Sequence, residues 1–344
     1  FQAGDIRSGY YRDQTFMFAK EISSISAFFA QLYAIMDVEA EPASAGRQMN
    51  GHFATRMLHP DGSWKNLTEA PHSTSDISPT GSQMPRSLGI AYASKLFRNL
   101  PELKHLTQFS NNGNEISWVT IGNASTSEGM FYETFNAAGV LQVPLLVSVW
   151  DDEYGISVPA KYHTTKQSIS EVLSGFIRGD KPGYDFYIVK GWDYPALCKT
   201  YQMAAEKCRR EQVPALVHVV EVTQPQGHST SGSHERYKSK ERLAWEAEHD
   251  CVRKFREWII SNGFATSAEL DKLENQDKTL VNDAKKKVWA QYAGEIKAEI
   301  LEFGVLIDRM SQQSRHKDEL QKIKFDLEHT IDPYRRDIFD FLEF

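Results

Sequence analysis

Short apolar runs bounded by polar residues mark the first two thirds of the chain. Residues 115–121, 144–150, 185–191 and 214–222 form such runs and predict buried strands. Residues 128–140, between the first two runs, have helical spacing. The order strand, helix, strand predicts a βαβ unit, whose crossover is right-handed in nearly all sheets.

A different pattern begins near residue 238, where the chain becomes charged and amphipathic. It predicts helices over residues 240–262, 267–303 and 306–328, with a break at 275–278. Apolar side chains recur there at spacings of three and four, which is typical of one packed helix face. We therefore expect an α/β domain over residues 1–237 and a helical extension over residues 238–344.

Two polar clusters follow the first two predicted strands, at residues 122–129 and 151–155. Open parallel sheets bind ligands at this edge. Ser125 and Glu128 have the spacing of a capping box, which predicts a helix start and an anion site suited to phosphate. Asn123 and Asp152 add side-chain oxygens, the ligand type that Mg²⁺ prefers. A polar strand end beside a helix cap, without a ligand, explains this pattern equally well.

The composition excludes several classes of partner. The net charge of −7 argues against nucleic acid and anionic membranes as main partners. There is no apolar run of membrane-spanning length and no signal peptide at the start. Three cysteines without a motif fit neither a disulfide framework nor a zinc site, so we predict a reducing cytoplasm.

The two polar clusters resemble the thiamine-diphosphate motif of the 2-oxoacid dehydrogenases, in the alpha subunit of their first, decarboxylating component. The distance from Asn123 to Asp152 is 29 positions, as between the family's two metal-binding side chains. The positions that match the motif are Gly122, Glu128, Gly129, Asn136, Tyr154, Gly155, Ile156 and Ser157. The resemblance implies the thiamine-diphosphate-binding α/β fold, with a mostly parallel sheet flanked by helices.

The resemblance also implies roles for individual residues. Asn123, Asp152 and the backbone carbonyl of Tyr154 would bind Mg²⁺. His228, in a Gly-His-Ser-Thr-Ser loop, would contact the diphosphate or assist acyl transfer as a proton-exchanging group. The implied cofactor-binding residues are Tyr11, Arg12, Ser78, Thr80, Gly122, Asn123, Ala124, Ser125, Asp152 and His228. Ser82 and Gln83 match the family's potassium site, which makes potassium a further candidate.

Four positions depart from the family pattern. The family's motif Asp is Asn123 here, and its ligand Asn is Asp152, so the carboxylate and the amide are exchanged while the charge is kept. We interpret this as a compensated swap. Ala124 replaces a Gly, which places a methyl group near the diphosphate. Gln224 stands where the family has an Arg, so one positive contact is lost.

The resemblance implies oxidative decarboxylation of a 2-oxoacid, with acyl transfer to the lipoyl carrier of an acyltransferase. A beta subunit, separate or fused, would complete the site in a two-alpha, two-beta assembly and would also receive the helical extension. Residues 46–49 and 78–85 are closer to the branched-chain type than to the pyruvate type. Ser229 aligns with the residue that is phosphorylated in mitochondrial relatives. The chain opens just before the Tyr-Arg pair, so we expect it to be trimmed.

Two other functions fit the same residues. A catalytically silent alpha-like subunit is favoured by Asn123, Ala124 and Gln224, and is opposed by Asp152, Arg12 and His228. Another thiamine enzyme, of the transketolase or acetoin dehydrogenase type, would share the cofactor motif. A dinucleotide fold is disfavoured because no Gly-x-Gly-x-x-Gly follows a strand.

Overall fold

The computed structural model describes residues 1–229 and 233–340. Its main sheet has six parallel strands in the order β2-β1-β3-β4-β8-β7. A two-residue antiparallel pair, β5 and β6, lies outside it. The strands are β1 Ile6–Ser8, β2 His72–Ser73, β3 Ser117–Gly122, β4 Leu145–Trp150, β5 Tyr154–Gly155, β6 Val158–Pro159, β7 Asp185–Lys190 and β8 Ala215–Val220.

Helices follow most of these strands. They are α1 Gln14–Ala19, α2 Ile25–Leu32, α3 Gln83–Asn99, α4 Gly129–Leu141, α5 Ile169–Val172, α6 Tyr194–Glu211, α7 Lys240–Glu248, α8 Cys251–Ser261, α9 Ser267–Ser311, α10 Lys317–Glu328 and α11 Arg335–Asp340. Among the described residues, none of these helices has both the length and the apolar character that a membrane span requires.

The side chains of β4 point alternately to the two faces of the sheet, and helices cover both faces. Leu145, Val147 and Val149 point to one face and pack with apolar residues of α3 and α4. Leu146 points to the other face and packs with α6. A strand buried on both sides reads as one continuous apolar run, which is why the sequence pattern located it.

The predicted α/β class is confirmed, with a parallel sheet flanked by helices and helices at the C-terminal end. The four predicted strands are also confirmed and lie within two residues of their expected bounds. The predicted helix over 128–140 is α4.

Three helix boundaries were wrong. Residues 240–262 form two helices, because the Asp250 side chain accepts a hydrogen bond from Arg253 N at 2.7 Å and caps a new helix there. The break at 275–278 is absent and α9 runs through it, since the segment contains neither Gly nor Pro. The next helix begins at Lys317 rather than at residue 306.

The chain forms two compact units. The first comprises Phe1–Ser24, Pro42–Ser44 and Asn50–Leu273 and contains the whole sheet. The second comprises Ile25–Glu41, Ala45–Met49 and the described residues of Glu274–Phe344. Within the second unit, the ring of Tyr33 packs on Trp289 and Tyr292. The sequence-based boundary between residues 237 and 238 differs from this division and stays a prediction.

Strand β1 was not predicted, because a run of three residues is too short to show alternation of apolar and polar side chains. Its residue Arg7 belongs to a buried charged cluster next to Tyr11 and Arg12. Arg7 is 1% exposed and bonds to Asp13 Oδ2 at 2.5 Å and to Asp76 Oδ1 at 2.9 Å. Arg7 also donates to the Tyr10 carbonyl at 3.1 Å. Thr120 of β3 donates to the same Asp13 oxygen at 2.7 Å. The cluster therefore fixes the start of the segment that carries Tyr11 and Arg12.

Candidate active site

The two polar clusters meet at one edge of the sheet. Strands β3 and β4 are adjacent and parallel, and Gly122 pairs with Trp150 at their carboxyl ends. The backbone N–H of Asn123 donates to the Trp150 carbonyl at 3.1 Å. The chain therefore brings residues 122–129 and 151–155 together, as the βαβ pattern predicts.

Asn123 is buried and its side chain is only partly bonded. It is 5% exposed, and its Nδ2 atom has no hydrogen-bond partner. Its carbonyl accepts from the Thr126 hydroxyl at 2.6 Å and from Thr126 N at 3.2 Å, which fixes the backbone. A buried amide nitrogen without a partner is costly, so this side chain lies where a further polar group would satisfy it.

The predicted capping box was wrong. Ala124–Ser127 form a short 3₁₀ turn, and α4 begins only at Gly129. Glu128 occupies the cap position in an extended conformation, and no side chain caps the helix. The Glu128 N–H bonds to the Ser125 carbonyl at 3.2 Å, which closes the turn before the helix starts.

Asp152 is the buried carboxylate of this edge. It is 7% exposed, its Oδ1 accepts from Tyr154 N at 3.1 Å, and its Oδ2 accepts from the Gln224 amide. Burial raises the pKa of Asp152, although the Tyr154 bond, the Lys238 charge and the Gln224 bond lower it in part. A buried carboxylate with this balance is stabilised by a nearby cation.

Helix α7 contributes a charged cluster that sequence reasoning missed. Arg242 donates to the Asp152 carbonyl at 3.1 Å and pairs with Glu153. Lys238 pairs with Glu246 at 2.7 Å, with both side chains almost fully buried. Within α7, the spacing of four residues from Arg242 to Glu246 is the signal that could have identified the cluster, and Lys238 lies two residues before the helix. Arg242 fixes the backbone of the loop that carries Asp152.

Tyr11, Arg12 and His228 lie together. Arg12 Nη2 donates to the His228 carbonyl at 2.7 Å and lies 3.0 Å from His228 Nδ1. The Tyr11 hydroxyl lies 3.3 Å from His228 Nε2. The contacts join the start of the chain to the loop after β8, as the resemblance implies. Residues 230–232 of that loop lie outside the described residues.

The pKa of His228 is lowered by burial first and by the Arg12 charge second. We expect the Arg12→Gln variant to raise the pKa of His228 toward 6.5, because one of the two causes is removed. Histidine ring resonances followed by NMR against pH measure this change. Because the folded pKa is below the unfolded value, the contribution of His228 to stability is complete above about pH 6.5 and is lost as pH falls below it.

The matched control is Arg253→Gln, which removes an exposed guanidinium of α8 that pairs with Glu257. It should leave the His228 titration unchanged. An Arg12→Gln titration identical to that of the unaltered chain would show that the guanidinium does not act on His228.

The methyl group of Ala124 points toward Gly155. A Cβ atom added at Gly155 would lie 2.7 Å from Ala124 Cβ, a distance too short for two carbon atoms. The methyl group of Ala124 therefore has space beside Gly155, and its position does not force it against the diphosphate. Gly155 provides the space that the replacement of Gly by Ala at position 124 takes up.

This contact gives a double-mutant prediction. Gly155→Ala should lower the free energy of unfolding by about 1–3 kcal/mol, the usual cost of overpacking. Adding Ala124→Gly should restore most of it, because the second methyl group is gone. Denaturant unfolding of the two single variants and the double variant gives the coupling. Additive losses would mean that the two side chains do not meet.

The loop before α3 also reaches this edge. A Cβ atom at Gly81 would lie 3.2 Å from Glu128 Cβ, so the loop abuts the first cluster. Ser78 Oγ lies 3.1 Å from His52 Nε2, and Thr80 is exposed. Gln83, matched to the potassium site, uses its amide nitrogen to bond to the Thr120 carbonyl at 3.0 Å. Its side chain therefore has a structural role, and the potassium assignment stays a prediction.

The oxygen donors present fit a hard divalent cation. Among the residues that the structure describes, no three His, Cys, Asp or Glu side chains converge on a metal position. A site built from one carboxylate, one amide and one carbonyl has only one such side chain. The buried Asp152 carboxylate and the unpaired Asn123 amide are consistent with a group that binds between the two strand ends.

These observations place the buried Asp152 carboxylate and the Asn123 amide at the carboxyl ends of two adjacent parallel strands. The chain belongs to the family of the dehydrogenase E1 component, whose model matches residues 1–297. The family predicted from the two polar clusters is thereby confirmed.

Curated relatives of the chain include alpha subunits named for pyruvate and an alpha subunit named for 2-oxoisovalerate. The chain is 25% identical over 204 residues to the pyruvate dehydrogenase E1 component subunit alpha of Rickettsia bellii, covering 59% of this chain and 56% of that protein. The corresponding protein of Acholeplasma laidlawii is 28% identical over 249 residues, with coverages of 71% and 66%. The 2-oxoisovalerate dehydrogenase subunit alpha of Bacillus subtilis is 25% identical over 245 residues, with coverages of 71% and 64%. The chain thus spans less than two thirds of these relatives.

Proposed function

We propose that this chain binds thiamine diphosphate and Mg²⁺ and takes part in the oxidative decarboxylation of a 2-oxoacid, with acyl transfer to a lipoyl-bearing acyltransferase. One observation carries the proposal. Asn123 and Asp152 follow adjacent parallel strands, at the family's separation, and the only carboxylate of the pair is buried with a raised pKa. A cation bound there would stabilise the carboxylate, and its oxygen ligands suit Mg²⁺.

The chain's own residues would hold and orient the cofactor. Asn123, Asp152 and the Tyr154 carbonyl would bind Mg²⁺, and residues Gly122, Ala124 and Ser125 would line the diphosphate. Arg12 would pair with the diphosphate through its planar donors. Thiamine diphosphate, when bound, supplies the electron sink for decarboxylation.

His228 is the candidate catalytic residue. Its lowered pKa keeps the imidazole neutral near pH 7, so it would accept a proton or a hydrogen bond rather than add a positive charge. The charge toward the diphosphate would then come from Arg12. Ser78 and Thr80 stay proposed contacts of the aminopyrimidine ring.

The beta subunit, separate or fused, is part of the proposal, since it would provide the activating Glu and complete the site. We favour a branched-chain 2-oxoacid on residues 46–49 and 78–85. Names of relatives point to both pyruvate and 2-oxoisovalerate. A cytoplasmic location stays a prediction.

Titration calorimetry tests the cofactor proposal. Thiamine diphosphate is titrated, with and without Mg²⁺, into this chain copurified with its beta subunit or module. Tight binding that requires Mg²⁺ supports the site, and a panel of pyruvate and branched-chain 2-oxoacids then decides the substrate.

A silent assembly subunit is the second candidate, favoured by one observation. The Gln224 amide bonds to Asp152 Oδ2, where the family's Arg would face the diphosphate. In a silent subunit the carboxylate would only accept hydrogen bonds, from Gln224 and from Tyr154 N, and would bind no cation. Absence of binding in the full assembly would overturn the enzyme proposal and support this candidate.

A further inference from the structure

Three buried polar side chains, of which only Asp151 belongs to the two polar clusters, form a hydrogen-bonded row that ends directly beside Asp152. Ser170 lies in α5, His218 lies within β8, and Asp151 follows the last residue of β4. They are 7%, 1% and 5% exposed. His218 Nε2 lies 2.9 Å from Asp151 Oδ2, and His218 Nδ1 lies 3.0 Å from Ser170 Oγ.

The His218 ring is held on both sides, since Nε2 bonds to the Asp151 carboxylate and Nδ1 bonds to the Ser170 hydroxyl. Since a buried polar group without a partner costs about 1–3 kcal/mol, each side chain constrains the next one. Ser, His and Asp also form nucleophilic triads, in which the serine contacts substrate. Because Ser170 is buried and does not reach a substrate, we assign no reaction to these three side chains.

Asp151 transmits the constraint to the turn that carries Asp152. Its Oδ1 accepts from Glu153 N at 2.7 Å. Its backbone N–H donates to the Val219 carbonyl, and its carbonyl accepts from Val222 N, at 2.8 and 3.0 Å. Asp151 is therefore held to β8 through both its main chain and its side chain.

The turn needs such support because Glu153 is strained. Its φ of +67° lies in the left-handed region, which costs a residue other than Gly about 1–3 kcal/mol when the surroundings impose it. The bond from Glu153 N to Asp151 Oδ1 stabilises this conformation. The next amide, Tyr154 N, bonds to Asp152 Oδ1 at 3.1 Å and sets the direction of that carboxylate.

We propose that His218 is a positioning residue for Asp152. Through Asp151 it holds the turn of residues 151–154 in the one conformation that presents the Asp152 carboxylate and the Tyr154 carbonyl at the same edge as Asn123. The consequence for cofactor binding rests on the function proposed above. The consequence for the turn does not, so the two can be tested apart.

The test compares His218→Leu, which removes the donor at similar size, with His218→Gln, whose amide can still donate to Asp151. Hydrogen exchange at the amides of Glu153 and Tyr154, measured without ligand, reports the turn. Calorimetry of thiamine diphosphate with Mg²⁺, in the assembly with beta, reports the site. Supporting residues of metal ligands typically account for roughly 10- to 100-fold in affinity, so we expect a loss of that size for Leu and a smaller one for Gln.

Leu216→Ala is the matched control, since Leu216 is a fully buried core residue of the same strand. It should lower the melting temperature through its cavity, yet leave both readouts unchanged. Ser170→Ala is the second variant if His218→Leu does not fold. It leaves His218 in place with one bond fewer, and should give a smaller change in the same direction.

Two results overturn the inference. One is unchanged exchange at Glu153 and Tyr154 in the folded His218 or Ser170 variants. The other is an equal effect of Leu216→Ala on exchange and affinity, which would show a role in general stability alone. If the unaltered assembly binds no cofactor, the proposed function fails, and the exchange measurement still decides the role of His218 in the turn.

Discussion

The Asp152→Asn variant should lose Mg²⁺-dependent binding of thiamine diphosphate, with an affinity loss of more than about 100-fold, since changes behind the ligands already cost roughly 10- to 100-fold. The substitution removes the only carboxylate of the proposed metal site and leaves neutral amides at both positions 123 and 152. Calorimetry with and without Mg²⁺, in the assembly with beta, measures the loss. Retained binding would contradict the compensated swap between these two positions.

The double variant Asn123→Asp with Asp152→Asn is the control. It restores the family's own order of carboxylate and amide, with the same charge and the same donor atoms. We expect it to recover most of the Mg²⁺-dependent affinity. Failure of the double variant alongside a functional unaltered chain would mean that the surrounding residues, Gln224 among them, have become specific for the exchanged arrangement.

The Asp152→Asn variant should bind the cofactor less tightly but be more stable without ligand. Burial raises the pKa of Asp152. A carboxyl group with a raised folded pKa makes the protein less stable as pH rises from about 3.8 through that pKa, because the unfolded chain ionises first. At neutral pH the burial of this carboxyl group therefore lowers the stability of the protein without ligand. Asp152→Asn removes the carboxyl group, so the melting temperature without ligand should rise while binding is lost.

The Arg7→Met variant should lower the free energy of unfolding by about 3–5 kcal/mol, the usual cost of removing one partner of a buried ion pair. Met keeps much of the length of the side chain but leaves Asp13 and Asp76 without their cation. Burial already raises the pKa of Asp76, and the Arg7 charge opposes this rise. Denaturant unfolding at neutral pH measures the loss.

Two comparisons separate this loss from the removal of any arginine. Arg253→Met affects a pair that is about half exposed and should change stability by at most about 1 kcal/mol. The triple variant Arg7→Met, Asp13→Asn, Asp76→Asn removes both uncompensated charges and should regain much of the loss. An Arg7→Met variant as stable as Arg253→Met would show that the cluster does not stabilise the fold.

The sequence identified those parts of the candidate site that lie on a single motif. Asn123, Asp152 and Tyr154 follow apolar strands at a fixed separation, so strand order alone was enough to place them at one edge. The pairing of Arg12 with His228 joins distant parts of the chain, and only the family resemblance had assigned both residues to the diphosphate. The structure shows that pairing directly.

Other parts of the site depend on residues outside the motif. The chain from residue 238 was predicted only as charged and helical, yet Arg242 bonds to the Asp152 carbonyl and holds that loop from outside the motif. The residue pattern of Ser125 and Glu128 predicted a capping box, but the structure has a 3₁₀ turn at Ala124–Ser127 instead. A local pattern of residue types does not determine which conformation the neighbouring strands require.

The sequence by itself determined the parallel sheet, its main strands and the family, because periodic burial and motif spacing are properties of neighbouring residues. Only the tertiary structure decided which side chains support the site. Arg7 and His218 form buried hydrogen bonds with residues far along the chain, and Gly155 lies close to the distant Ala124. A single sequence contains the residue types for such contacts, but packing alone brings them within bonding distance.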